Sequence, residues 1–159
     1  MKRIFSILPA LVATLLLSFM ATGCDSSEDP TDLSQFIGSW RLVSASDDTG
    51  DKTAVFAALG SLTLDLNEDG THVLAVDLTD PEADDVNLAG TYTVNDIAQQ
   101  LLLAITFSGV PFNLTFDYVI QDADTVVLTA NSTVIAALLG AEAGALLEGD
   151  VTLTIERTS

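Results

Sequence analysis

The chain has 159 residues, of which 23 are acidic and five basic, giving a formal net charge of −18; 48% of it is hydrophobic. That is the length of one domain, and the composition is too apolar for a disordered acidic tail. The acidity argues against a nucleic-acid partner, whose phosphates require cations. One Cys excludes a disulfide framework, and one Cys with one His excludes a Cys/His zinc cluster.

The N-terminus follows a processing grammar. Lys2 and Arg3 precede an apolar run from Ile4 to Phe19, then the small residues Ala21, Thr22 and Gly23, then Cys24. The run is shorter than the roughly 20 apolar residues of a membrane-spanning helix. Met20 to Cys24 resembles the lipobox of bacterial lipoproteins, which implies removal of residues 1–23 and acylation of Cys24. An ordinary secretory signal followed by a chance Cys is the alternative. Lipidation would account for the single unpaired thiol and anchor the chain to a membrane without a spanning segment. Without Lys2 and Arg3, only Arg41, Lys52 and Arg157 oppose the 23 acids, a net charge of −20. Residues 24–32, acidic and interrupted by Pro30, read as a tether, with the folded domain spanning 33–159.

From Gly38 onward, short alternating runs are punctuated by turn residues. Trp40, Leu42 and Ser44 share one face of a first strand. Ala54 to Leu59 is a short helical candidate. Leu62, Leu64 and Leu66 alternate with Thr63 and Asp65, and the turn ending at Asp69-Gly70 leads into a return strand over Thr71 to Leu78. Thr79 to Asp85 is an acidic loop, whose default reading is a solvated charge run. Further strands are expected over Gly90–Val94, Leu101–Phe107, Phe112–Ile120, Thr125–Ala130 and Val151–Thr158. Thr133 to Glu148 is Ala- and Leu-rich and too long for a strand. It is expected to form a helix capping one end of the fold, with a mobile lid or a membrane-contacting patch as the other reading, although Gly140 and Gly144 each weaken it by about 1 kcal/mol. The sum is an all-β domain of eight strands joined by short connections, an antiparallel up-and-down barrel or sandwich with one or two helical inserts.

Phe36-Ile37-Gly38-Ser39-Trp40-Arg41-Leu42 resembles the Gly-x-Trp opening of lipocalins and bacterial lipocalin-like domains. Asn67 to Thr71, Gly90 to Val94 and Leu153 to Arg157 are also similar to segments of bacterial lipocalin-like lipoproteins. The resemblance implies an eight-stranded barrel in which an Arg on the last strand, here Arg157, packs across the first-strand Trp, here Trp40. Strand parity agrees, because Arg157 shares a face with Val151, Leu153 and Ile155. The other reading of Arg157 is a solvated residue past the ordered end of the strand.

Catalysis by a Ser/His/Asp triad would have to use His72, the sole His, and no Gly-x-Ser-x-Gly motif marks a nucleophile. The chain is therefore expected not to be an enzyme and to need no cofactor. Asp65, Asn67 and Asp69 match the first half of an EF-hand loop, but Val76 stands where the bidentate Glu belongs, so a plain hairpin competes with a calcium site.

The inward faces are almost wholly apolar, so a cavity there would take a small hydrophobic molecule. Tyr92, Phe107, Phe116, Tyr118 and His72 are the candidates to line it. The expected protein is a monomeric, lipid-anchored binder of the bacterial cell envelope. The competing expectation is a filled barrel that serves as an interaction or inhibitor module, with a calcium-dependent surface module as a further reading. The excess of acid over Lys resembles adaptation to a salt-rich medium, where screening weakens self-repulsion.

Overall fold

The computed structural model describes residues 33–79, 85–107, 109–140 and 144–158. The leader, Cys24, the tether and most of the acidic loop (Asp80, Glu82 and Asp84) lie outside the described residues. A 3-10 turn at Leu33–Gln35 leads into β1 (Gly38–Asp47). There follow the two-residue β2 (Gly50–Asp51), helix α1 (Thr53–Leu59), β3 (Gly60–Leu66), β4 (Thr71–Leu78), β5 (Val86–Asn95), β6 (Gln100–Phe107), β7 (Val110–Asp122) and β8 (Thr125–Asn131). Helix α2 (Ser132–Leu139) precedes the final strand β9 (Asp150–Arg157).

Each long strand pairs antiparallel with the next, and β9 returns to pair with β1, from Trp40 opposite Arg157 to Ser46 opposite Thr152. Eight strands thereby close into an up-and-down barrel, while β2 is a short flap on β1. Closure leaves no long strand with an unpaired edge. The base of the barrel carries the turns at 67–70, 96–99 and 123–124. The opposite, upper end carries α1 and α2.

Period-two patterning places the core where the sequence suggests. Leu62, Leu64 and Leu66 are buried, as are Leu101, Leu103 and Ile105 of β6 and Val151, Leu153 and Ile155 of β9. The exception is β1. Its pairing with β9 slips between Leu42 and Ser44, so the inward phase passes to Ala45, which is buried, rather than to Ser44. A bulge of this kind adds one residue and reverses the faces beyond it.

The upper end differs from the expected single helix over Thr133–Glu148. Helix α2 is capped by Asn131, whose side chain accepts from the Thr133 amide, and it stops at Gly140, whose φ of 88° is left-handed. Only glycine enters that region without cost, so the residue that was expected merely to weaken the helix ends it. Ile135 of α2 is fully buried in the barrel core, and Leu147 is buried beyond the helix. Below the helices, Asp47 at the end of β1 ties the upper loops together. Its carboxylate accepts from the Thr49 and Gly50 amides and the Thr49 hydroxyl, takes the Glu148 amide at 2.9 Å, and pairs with Lys52 at 3.5 Å. Desolvation opposes its ionisation, but these contacts outweigh it and hold the pKa far below the ordinary carboxylate range.

Leu101 is wholly buried on β6, opposite Phe116 and Val94. Leu101→Ala is expected to lower the unfolding free energy by about 2–5 kcal/mol, read as a drop in the urea midpoint.

Candidate functional site

The base of the barrel is a closed plug built around Trp40. Its indole Nε1 donates to the Phe36 carbonyl at 2.8 Å, folding the 3-10 turn under the barrel. The Phe36 ring meets Tyr118 edge-on, with centroids 4.8 Å apart and planes at 77°. Arg157 covers the other side, its guanidinium 4.3 Å from the centre of the Trp40 ring. The fork donates to the carbonyls of Gln35, Ile37 and Ala123, and the Asp124 carboxylate lies 3.5 Å away. Gly38, at φ 134°, is required beneath it, because a Cβ there would run into Arg157 Nη1. The structure thus brings Trp40 and Arg157 together, at the seam where the first and last strands pair.

Of the residues expected to line a cavity, Tyr92, Phe116, Tyr118 and His72 are all buried. The side chain of Phe107 lies outside the described residues. The Tyr118 hydroxyl donates to Asp96 at 2.7 Å, and desolvation together with that carboxylate pushes its pKa up to about 12. The Tyr92 hydroxyl donates to the Asn67 carbonyl, and its pKa is raised by desolvation and the nearby Asp69 charge. Both phenols therefore stay protonated and serve as packed struts of the base, with their polar tips satisfied by turn residues.

The candidate calcium residues act within the β3–β4 hairpin. Asp69 accepts from the Thr71 amide and hydroxyl, which lowers its pKa, and the Asn67 amide donates to the Thr71 hydroxyl. Asp65 sits on β3 opposite Val73, between the buried Leu64 and Leu66. Among the described residues, no three His, Cys, Asp or Glu side chains converge to hold a metal ion.

His72 is different. It is 1% exposed, and neither ring nitrogen has a hydrogen-bond partner. Its cross-strand neighbours are Leu66 on β3 and Gly90 on β5. The ring leans over Gly90, where a Cβ would lie 2.9 Å from His72 Cε1 and collide with the Ala104 carbonyl. Desolvation lowers the His72 pKa, with the Thr91 backbone opposing. The Thr91 backbone is thus a polar neighbour of the ring, short of full hydrogen-bond geometry.

The opening in the fold lies at the upper end. A crevice of about 410 Å³ runs between the starts of β5 and β7 and helix α2, lined by Val86, Leu88, Phe112 and residues Ala137 to Gly140. Among the described residues, no polar side chain lines it. Depressions of about 450 and 570 Å³ lie at the base, one lined by Asp65 and Glu68 together with Ile37, Leu66 and Val73, the other by Asp122, Asp124, Glu156 and Arg157. The strand expected over Gly90–Val94 begins earlier, at Val86, and so includes Val86 and Leu88, whose alternation with Asn87 extends the strand pattern.

These features define an eight-stranded antiparallel barrel with a sealed base and an apolar crevice at its helical end. No protein-family model matches the chain, and no curated protein matches it in sequence. Among solved structures it is similar to the crystal structure of the fluorescent protein UnaG N57A mutant. The similarity has a TM-score of 0.42 and 13% identity, covering 80% of this chain and 99% of that one.

Two predictions arise here. The folded His72 pKa lies below the usual 6.5, so the unfolded chain binds the proton more readily, and stability is lost as pH falls through that range. Urea midpoints at pH 7.5 and 5.5 should therefore favour the wild type at the higher pH relative to His72→Gln, which lacks this titration. The shifted carboxylates Asp47, Asp51 and Asp69 contribute their loss only below their usual 3.8. At the base, Arg157→Lys keeps the charge but not the planar fork or the stack, and should destabilise the fold by about 1–3 kcal/mol. Unfolding followed by the fluorescence of the sole Trp reads this directly.

Proposed function

We propose that this protein is a non-enzymatic binder of a small apolar molecule, held at the bacterial cell envelope by lipid on Cys24. The observation that carries the binding reading is the crevice under α2, a concave site of ligand size whose described walls carry apolar side chains. Its position suits exchange with the surroundings. Leu88 and Phe112 belong to the barrel strands, whereas Ala137 to Gly140 belong to a short helix that ends in a left-handed glycine. A ligand entering there displaces water from apolar surface, gaining on the order of 25 cal/mol per Å² buried.

The closed base supports the same direction of access. The plug of Phe36, Trp40 and Arg157 fills that end, leaving the helical end as the side from which a ligand would enter. The non-catalytic part of the reading rests on the sequence, in which His72 is the sole His and no Gly-x-Ser-x-Gly motif marks a nucleophile. The envelope anchor rests on the Lys2-Arg3 start, the apolar run and the Gly23-Cys24 junction.

Nile red, an uncharged apolar dye, tests the site. Its fluorescence should rise on mixing with the protein and fall again on adding an envelope lipid extract. Ala137 lines the crevice and is exposed on α2. Ala137→Trp should therefore fill the space and weaken dye binding about tenfold or more with the thermal midpoint little changed. Absence of dye binding, together with no species retained from the extract by native mass spectrometry, would refute the carrier reading.

A further inference from the structure

We infer that the closed base of the barrel rests on the membrane that holds the Cys24 lipid, with Ile97 as its apolar contact, so that the α2 crevice opens away from that membrane. The inference rests on the envelope-anchor reading above and adds which surface of the domain meets the bilayer. Three observations converge on it.

The first is where the tether joins the fold. The 3-10 turn Leu33–Gln35 is held under the base, the Gln35 carbonyl accepting from Arg157 and the next carbonyl, of Phe36, from the Trp40 indole. The chain leading back to Cys24 therefore leaves the domain at the end opposite the two helices.

The second is length. Eight residues, 25–32, separate Cys24 from Leu33. A chain of that length reaches at most about 26–29 Å, and averages about 15 Å as a flexible coil. The barrel wall is of similar size. The eight residues of β6 amount to about 20 Å of height at the usual rise and strand tilt, with α2 beyond them. Setting the helical end on the membrane would lift Leu33 by more than that height and stretch the tether close to its limit. With the base down, the tether keeps nearly all of its conformational freedom.

The third is Ile97. It is 96% exposed, the most exposed large apolar side chain among the described residues, and it lies on the β5–β6 turn at the base. The turn is braced, because the Ala98 amide donates to Asn95 Oδ1 and the Tyr118 amide to the Gln99 carbonyl. One ring couples this turn to the start of the tether: Tyr118 donates to Asp96 and meets Phe36 edge-on. An isoleucine placed there gains apolar contact at the boundary of headgroups and acyl chains. One such residue does not bind a free protein to a bilayer, but a lipid on Cys24 already keeps the base close by, and at high local concentration a small contact sets the orientation. The neighbouring acids Glu68, Asp69, Asp122 and Asp124 favour neutral headgroups over anionic ones.

The test uses the acylated protein purified from membranes and reconstituted into phosphatidylcholine vesicles. Lipid occupies the Cys24 thiol, so Ala98→Cys and Leu146→Cys, both at exposed positions, each offer one thiol for an NBD fluorophore. Doxyl-labelled phosphatidylcholine should quench the probe at 98 about twofold or more and leave the probe at 146, between α2 and β9, unquenched. Adding Ile97→Ser should relieve the quenching at 98 with the thermal midpoint and vesicle retention unchanged, since the side chain is already in solvent. Quenching at 146, or at neither position, would overturn the inference and leave the anchor reading standing. Unrelieved quenching with Ile97→Ser would overturn the contact assigned to Ile97. Absence of acyl groups on Cys24 by mass spectrometry would remove the anchor reading and this inference together.

Discussion

The first and last strands of this chain have to meet, and the structure depends on how they do so. A row of seven antiparallel ladders leaves two open edges, and only pairing of β1 with β9 removes them. Arg157 sits at that seam as the last residue of β9, opposite Trp40. Its side chain binds the carbonyls of Gln35 and Ile37, so the residues that precede β1 are drawn under the barrel by the residue that ends β9. A charged group at the edge of an apolar interior is thereby satisfied on an aromatic face and on backbone oxygens, an interaction of about 0.5–2 kcal/mol for the cation–π part alone. The sealed base and the accessible upper end follow from that arrangement.

Much of this architecture was legible because β-strand parity is a strict code. Alternation placed Leu62, Leu64 and Leu66, Leu101, Leu103 and Ile105, and Val151, Leu153 and Ile155 on the inner surface, and all of these are buried there. The Asp69-Gly70 turn marked its hairpin, since Gly70 adopts a positive φ of 78°. Where the code lost phase, a backbone irregularity intervened. The slip after Leu42 turns Ala45 inward, and nothing in Ser44-Ala45-Ser46 announces it, because small residues fit either face. The helix over Thr133–Glu148 was legible as a helix but not in length, since Gly140 is compatible with continuation or arrest and tertiary context decides between them.

The site was less legible than the fold. Burial of Tyr92, Phe116, Tyr118 and His72 follows from parity, but parity does not say whether an inward residue borders a void or another side chain. The phenols are struts braced by Asn67 and Asp96, contacts made across 25 and 22 residues. The crevice is made by α2 docking over β5 and β7, elements far apart in the chain, and no local pattern encodes that meeting.

The seam also dictates the order of events when the chain folds. Neighbouring strands of the barrel are joined by local connections, whereas the contacts of Arg157 with Ile37 and of Thr158 with Ser39 span 120 and 119 residues. Asp47 and Glu148 add another across 101. The entropy of closing so long a loop is recovered only when most of the sheet already exists, so the ladders build first and the ring shuts last. Until it does, β1 and β9 remain open edges, and the interval before closure is the period in which one copy of the chain is most exposed to pairing with another.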